Sequence, residues 1–544
     1  MTRAALLGAG IAIVAGHAAI AQDPASSGIR FTDVTAASDI DLVPTNGASP
    51  PSTVLEVKGG GLALIDFDND GDLDLFVPNG ATLAAPDAGP GARLYRNDGG
   101  LRFADATAAS GIGHRRWSFG VAVGDVDADG FDDLFIACFG PDVLLRNRGD
   151  GTFEDITARA GVGDPRWGTS AAFADLDLDG DLDLYVCNYL DFDPARPLPP
   201  ASFKGMPVIS GPKGYPPAAD SVFENRGDGT FVDRSDDCGI RAVPAGFGLN
   251  LAILDLTGDG RPDIYVGNDS QRNNLFTGTA PWKYEDIGLR SGIAVNGEGI
   301  EQATMGVAVA DVDGNGRPDV FTTNFSSDVN TLHLNLDGRN FDDRTNQFGL
   351  GAPSRTSVGW ATGFHDLDHD GDEDLLVFNG HVYPQATRQS MDSEYAQRPL
   401  LLERRDRRFV PLAAAGSWSL APRVDRTAVF ADLDRDGDVD AIVSGLHERI
   451  QVLRNDHDRA DDWIVVVPRG RHAVGAEIRV RDGERVQRRW IHGGGPFQSN
   501  LAPEAHFGLG PGAAPVTVEV RFPDGTTIAR EGVARGTRLV VERK

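Results

Sequence analysis

The residues with the most chemistry to offer are aspartates, and they recur in a fixed pattern. A ten-residue stretch appears seven times, from DFDNDGDLDL at Asp66 to DLDRDGDVDA at Asp432, with starts 50 to 80 residues apart. Position 6 is always glycine, and positions 1, 3, 5 and 9 carry oxygen. Those four positions are Asp66, Asp68, Asp70 and Asp74 in the first copy, then Asp125, Asp127, Asp129 and Asp133 in the second. The third copy has Asp175, Asp177, Asp179 and Asp183; the fourth has Asp255, Thr257, Asp259 and Asp263. The fifth has Asp311, Asp313, Asn315 and Asp319. The sixth has Asp366, Asp368, Asp370 and Asp374, and the seventh Asp432, Asp434, Asp436 and Asp440.

A hard divalent cation takes six or more oxygens at short range, and its charge offsets the repulsion of crowded carboxylates. Four oxygen-bearing side chains on a tight loop, with the position 7 carbonyl beside them, suit Ca²⁺. Glycine at position 6 permits the sharp turn. Thr257 and Asn315 still offer oxygen, with less charge. The expectation is up to seven bound Ca²⁺. An EF-hand would need a bidentate Glu at position 12 and a following helix, but position 12 of the first copy is Val77, inside an apolar run. Solvated Asp-Gly turns without metal would leave 26 carboxylates in seven like-charged groups, a strongly repulsive arrangement.

The elements that carry these loops are readable too. An apolar run precedes each copy, as in Gly120 to Val123, and another follows, as in Leu73 to Val77, which reads as strand, loop, strand. A Leu-x-x-Asn strand end comes next, at Leu94 to Asn97, Leu144 to Asn147 and Leu332 to Asn335. After a turn, a fourth strand opens on an aromatic residue: Phe103, Phe153, Phe231, Tyr284 or Phe341. Four strands per repeat, repeated seven times, predict an all-β protein with a seven-bladed propeller over residues 29–455. The seventh loop lacks its own aromatic strand, and an unpartnered one stands at Phe31 to Thr35. The N-terminal strand is therefore expected to complete the last blade and remove an open edge.

Charge and cysteine narrow the function classes. The chain carries −29 over 544 residues, and residues 456–544, with 14 basic and 12 acidic side chains, contribute +2. The excess acid sits in the repeats, and it excludes nucleic acid and anionic membrane as partners. Residues 1–21 read as a signal peptide, with Arg3, an apolar stretch from Ala4 to Val14, and Ala19-Ile20-Ala21 before the cleavage point. Residues 22–28 are a linker. No later segment is long enough to span a bilayer, so the mature chain is expected to be exported without a transmembrane segment, to the periplasm, the cell surface or the medium. Cys138, Cys187 and Cys238 are too few for a disulfide-built fold. Cys138 and Cys187 hold similar places in neighbouring repeats, at offsets that differ by one residue, and buried free thiols are the favoured reading.

At this point the sequence resembles a known family. The loops with their surroundings, GVAVGDVDADG and NRGDGTFEDIT, look like the FG-GAP or VCBS repeats of integrin α-chain propellers. Val474 to Val480, Gly493-Gly-Gly495 and His506-Phe-Gly-Leu-Gly510 resemble the ASPIC/UnbV domain. Together they are similar to a bacterial relative of the cartilage acidic protein family. The resemblance implies a propeller and calcium binding and carries function poorly. Residues 456–544 read as a small β-sandwich-like domain, with strands at Trp463 to Val467, Ala476 to Arg481, Arg485 to Ile491, Val516 to Phe522 and Arg538 to Glu542. His506, beside Phe507, reads as structural.

Candidate ligand residues gather on the other side. The strand leaving each loop ends in Asn79, Asn188, Asn268, Asn324 or Asn379 in five of the seven repeats. Those amides can cap a turn or line a ligand mouth. Arg116 and Arg166 each precede a tryptophan at equivalent places, and His381 and Tyr383 lie in a longer connection. The largest insert, Asp191 to Asp220, carries Lys204, Lys213 and Tyr215, and long loops on a rigid ring tend to hold binding sites. No GxSxG elbow, HExxH or paired nucleophile and base is present. The leading expectation is a monomeric, calcium-dependent interaction module for a protein or glycan. The alternatives are a lyase or hydrolase on an extracellular polymer, using His381, Tyr383 and the arginines, and a cell-surface scaffold docking through its C-terminal domain.

Overall fold

Apolar runs on either side of a short loop fold back as antiparallel neighbours, and here that unit is repeated around a ring. The computed structural model describes residues 28–457, 462–470 and 473–543. Among these residues seven antiparallel sheets share one plan: inner strand, aspartate loop, second strand, third strand, outer aromatic strand. Blade 2 is built from Ser118–Gly124, Asp133–Cys138, Val143–Asn147 and Phe153–Asp155, with Val121 opposite Ile136, Leu134 opposite Leu145, and Asn147 opposite Phe153. Its inner and second strands are buried on both faces, which explains their unbroken apolar runs. The core lies between blades. Ile65 and Phe76 of the first pack with Val121 and Ile136 of the second, and the pattern continues around the ring.

The ring closes as the unpartnered aromatic strand requires. Phe31–Asp33 pairs antiparallel with Gln451–Asn455, placing Phe31 opposite Asn455, and forms the outer edge of blade 7. Phe31 is buried and meets the Trp418 ring edge-on at 5.8 Å.

The Leu-x-x-Asn strand end has a definite use. Asn147 Nδ2 donates to the Phe67 carbonyl, at position 2 of the preceding blade's loop, at 2.8 Å. Asn225 reaches Val126, Asn335 reaches Leu256 and Asn455 reaches Leu367 in the same way. Asn97 donates to Leu433 at 2.9 Å and so crosses the seam between first and last blades. Where the asparagine is missing, Tyr284 Oη donates to Leu176 O and Arg404 Nη2 to Val312 O, both at 2.9 Å. Each blade thus grips the loop of the one before it.

The C-terminal region is a two-sheet unit. One sheet pairs Trp463–Arg469 with Ala505–Gly508 and with Thr537–Glu542. The other orders Arg485–Trp490, Glu477–Asp482, Val516–Arg521 and Thr527–Val533. The strands at 505–508 and 527–533 were not read from sequence; the first is short and the second is largely exposed and polar. Between the sheets, residues 493–502 leave the unit and enter the central channel of the ring. Gly493–Gly494 pairs with the inner strand Gly248–Leu254 of blade 4. Val121 N donates to Gln498 O, Val307 N to Pro496 O and Leu62 N to Ser499 Oγ, from blades 2, 5 and 1. Phe497 is fully buried against Trp360 of blade 6, with ring centroids 4.9 Å apart. The approach is close: a Cβ on Gly61 would lie 1.7 Å from Gln498 O.

This unit covers the aspartate-loop face. Arg485 Nη1 donates to Asp370 O, Arg489 Nε is 2.8 Å from Glu373, and Arg469 Nη2 is 3.4 Å from Asp66. No helix among the described residues is long and apolar enough to cross a membrane. The segment 1–21, expected as a signal peptide, and nearly all of the expected 22–28 linker lie outside the described residues. Cys138, Cys187 and Cys238 are buried and free, so Cys138 and Cys187 do not pair.

Candidate functional site

Two places gather functional side chains, one on each face. On the covered face, the loops hold their own shape through backbone donors. Position 1 receives the position 6 amide, as Gly71 N donates to Asp66 at 3.1 Å and Gly130 N to Asp125 at 2.9 Å. Position 5 receives the position 7 amide, as in Phe131 N to Asp129 and Arg317 N to Asn315. Position 9 is the most buried. Asp133 accepts from Val126 N at 3.0 Å with one oxygen and from Asn147 N at 2.7 Å with the other, and the same clasp recurs at Asp74, Asp183, Asp319, Asp374 and Asp440.

Position 9 therefore ties the loop to the third strand besides facing its centre. Which three carboxylates lie closest differs between loops. Positions 1, 3 and 9 converge at Asp125, Asp127 and Asp133, at Asp175, Asp177 and Asp183, and at Asp311, Asp313 and Asp319. Positions 1, 3 and 5 converge at Asp66, Asp68 and Asp70 and at Asp366, Asp368 and Asp370.

Several of these oxygens are left without a hydrogen-bond donor. Asp127 Oδ1, Asp263 Oδ1, Asp311 Oδ1, Asp366 Oδ1, Asp432 Oδ1, Asp434 Oδ1 and Thr257 Oγ1 are buried with no hydrogen-bond partner. A buried acceptor without a donor is costly, and an oxygen-only donor set of this kind fits a hard divalent ion. Burial, with carboxylate neighbours adding to it, pushes Asp74, Asp133 and Asp319 up to about 8 and Asp183 to about 9. Without a cation these groups resist ionisation. In the second loop Arg146 pairs with Asp127 and Asp129, and Trp282 Nε1 donates to Asp177 at 2.7 Å in the third.

The opposite mouth is open and holds a cavity of about 1180 Å³. Its floor is a buried ion pair: Lys58 Nζ lies 3.1 Å from Asp269 Oδ2, which also accepts from Tyr189 Oη at 2.6 Å. Burial pulls the Lys58 ammonium down against the Asp269 charge that holds it up. Burial likewise raises Asp269, and Lys58 and Tyr189 outweigh it, so that carboxyl stays below its usual range. Phe203, Phe325, Trp360 and Tyr383 supply aromatic wall, and Gln302, Asp328, Arg355 and Lys213 supply polar groups. The insert folds into this wall as a hairpin, Ala201–Phe203 with Met206–Val208. Lys204 Nζ anchors it to Met391 O at 2.9 Å.

The expected ligand residues divide sharply. Tyr383 lines the cavity. Asn79, Asn188, Asn268, Asn324 and Asn379 do not form a ring of amides on it: all five are buried and donate inside their own turns. Asn79 Nδ2 donates to Gly91 O, Asn188 to Ala219 O, Asn268 to Arg272 O, Asn324 to Val329 O and Asn379 to Arg398 O. The amides act as caps on these connections, sharing Gly91 O with Arg93, Ala219 O with Arg166 and Val329 O with Gln302. Arg116 is spent on Pro141 O, and Arg166 on Asp164, Ala219 O and Ser221. His381 is fully buried; its Nδ1 accepts from Tyr383 N at 3.0 Å, and burial plus nearby Arg426 pulls it down to about 3. An imidazole so placed is a poor general base at neutral pH. Replacing Asn324 or Asn379 with Ala should therefore cost about 0.5–2 kcal/mol of stability, by analogy with lost helix caps. Denaturant melts of the two variants check this, and unchanged melts would reopen the amides as a site.

Lys58, Asp269, Tyr189 and Gln302 escaped sequence reasoning because they come from connections outside the repeat. One signal was available: the chain has only five lysines, and Lys58 and Lys213 line the cavity with Lys204 anchoring its wall.

Comparison with known proteins agrees with the repeat pattern. The FG-GAP-like repeat family matches residues 66–136, 125–186, 208–266, 255–322 and 311–377, together more than half of the chain. The ASPIC and UnbV family matches residues 467–544. Cartilage acidic protein 1 of Xenopus tropicalis is 27% identical over 303 residues, covering 53% of this chain and 43% of that protein. The Mus musculus protein of the same name is 26% identical over 333 residues, covering 58% and 48%. The chain thus spans about half the length of the curated relatives it matches. Among solved structures, a lectin of Agrocybe aegerita has a TM-score of 0.41 at 17% identity, covering 72% of this chain and 86% of its own. The β-propeller domain of Myceliophteria thermophila Cps50 has a TM-score of 0.39 at 10% identity, covering 73% and 96%. With its repeats matched across more than half its length and its last sheets matched separately, this chain belongs to the FG-GAP-like repeat family and ends in an ASPIC and UnbV domain.

Proposed function

We propose that the chain is an exported binding module, held in shape by Ca²⁺ at its aspartate loops, that takes a protein or glycan ligand in the cavity at the opposite mouth. The observation that carries this reading is the asymmetry of the two faces. The C-terminal unit covers the loop face and fills the channel with residues 493–502, while the other mouth keeps a cavity of about 1180 Å³. Apolar wall with a few convergent polar groups is the usual character of a ligand site. On this reading residues 29–455 are the ring, residues 456–544 are its lid, and export rests on the segment 1–21. Ca²⁺ is the proposed ion because the donors are oxygen alone and the extracellular milieu suits weak calcium loops.

The test is a screen of the purified protein against glycan arrays and extracellular protein fractions, with and without millimolar Ca²⁺. Tyr383→Ala and Lys213→Ala should each weaken a ligand found this way about 10-fold, or ~1.4 kcal/mol, while melting barely changes. A ligand whose affinity ignores both changes binds elsewhere, and the cavity reading fails.

A further inference from the structure

Three histidines meet at the joint between blade 6, blade 7 and the C-terminal unit, in positions that the aspartate pattern does not use. His369 is position 4 of the sixth loop. In the first, second and seventh loops that position is left-handed and exposed, at Asn69, Ala128 and Arg435; His369 is also left-handed, with φ 55°, yet fully buried. Its ring lies 4.7 Å from that of His457 and 5.1 Å from that of His506, centroid to centroid. Its Nε2 is 3.3 Å from Asp438 Oδ1, and the other Asp438 oxygen accepts from His457 N at 2.8 Å.

The third histidine is oriented as metal-binding histidines are. His506 Nε2 donates to the Gly437 carbonyl at 2.8 Å, which leaves its lone pair on Nδ1. That Nδ1 is buried and has no hydrogen-bond partner. A ring nitrogen fixed by a backbone carbonyl, with the other nitrogen left bare, is the second-shell arrangement that orients imidazole ligands. We propose that His369, His457, His506 and Asp438 bind one divalent transition-metal ion, of which Zn²⁺ is the probe. Imidazole nitrogen with a single carboxylate suits zinc and its neighbours in the first transition series and is a poor set for Ca²⁺. The site is therefore chemically separate from the oxygen-only loops. His506 also faces a cavity of about 670 Å³ between the ring and the C-terminal unit, which provides a path of entry. An ion here would staple the lid to the two last blades.

The experiment uses the full-length mature protein, stripped with chelator, refilled with millimolar Ca²⁺ and then titrated with Zn²⁺. Native mass spectrometry should count one zinc beyond the calcium ions, and Co²⁺ in its place should give visible d–d bands of a nitrogen-ligated site. His506→Gln and His457→Gln should each lower zinc affinity by about 100-fold or more and abolish the cobalt bands, with the calcium count unchanged. No zinc retained above the calcium background by the unmodified protein overturns the proposal and leaves the three imidazoles as packing. Zinc that binds equally well to both variants also overturns it, because the ion then sits in the aspartate loops. The cobalt spectrum of the unmodified protein decides the matter even if a variant fails to fold.

Discussion

Removing calcium should lower the melting temperature by on the order of 10 °C or more, and returning millimolar Ca²⁺ should restore it. An ion that binds only the folded chain stabilises by about 2.7 kcal/mol per site at a hundredfold excess over its Kd. The loops hold buried carboxylate oxygens without donors, so the metal-free fold carries both unsatisfied acceptors and like-charge repulsion. Mg²⁺ should replace Ca²⁺ poorly, because it demands a smaller and more regular octahedron. Asp127→Ala or Asp177→Ala should each remove one ion, counted by native mass spectrometry or calorimetry. The fourth and fifth loops, with Thr257 and Asn315, should empty first.

The effect of chelation should also depend on pH. Burial raises Asp74, Asp133 and Asp319 to about 8 and Asp183 to about 9, far above the unfolded value of 3.8. The folded metal-free chain therefore binds more protons than the unfolded one between those limits. The stability linked to these groups is fully present below about pH 4 and is lost as pH rises toward 8 or 9. Chelated protein should melt progressively lower from pH 5 to pH 8, and the gap to the calcium form should widen. Identical melts in chelator and in calcium across that range would sink the structural role of the metal.

The second large effect is expected from deleting residues 29–36. Blade 7 would lose its outer strand and expose the edge of Gln451–Asn455. It would also lose Phe31 from beside Trp418; truncating a buried phenylalanine alone costs about 3–5 kcal/mol. Size-exclusion chromatography should show aggregated material, and calorimetry a large fall in melting temperature. A monomeric variant with an unchanged melt would mean that the closing strand is dispensable.

The parts of this architecture that repeat were legible in the sequence. Seven copies of one loop reinforce each other, and one missing aromatic strand at the end matched one surplus strand at the start. The Leu-x-x-Asn motif was visible, but its use was not, because Asn147 finds Phe67 in a different repeat. The channel-filling segment was invisible for a related reason. Gly493 to Asn500 has no hydrophobic period, and its partners are inner strands from blades all around the ring. At Asn188 or Asn324 the same residue type serves a turn or a ligand, and only burial and hydrogen bonds separate the two. The Lys58–Asp269 pair joins residues 211 apart, and no local pattern announces it.

The same closure that removes an edge from the finished ring sets an order in time for making it. Phe31 pairs with Asn455, and Asn97 reaches Leu433, so the first-made part of the ring waits for nearly the last. Pairings this distant in sequence form slowly, since the chain loses loop entropy before the contact rewards it. Until residue 455 has emerged and folded, the strand at 31–33 has no sheet to join and blade 7 has an open edge. The longest-lived folding intermediate should thus be a six-bladed arc with its N-terminal strand loose. In a refolding reaction followed by pulsed hydrogen exchange, the amides of Phe31, Val34 and Asp456, which donate to Ala415, Val452 and Arg30, should be among the last protected.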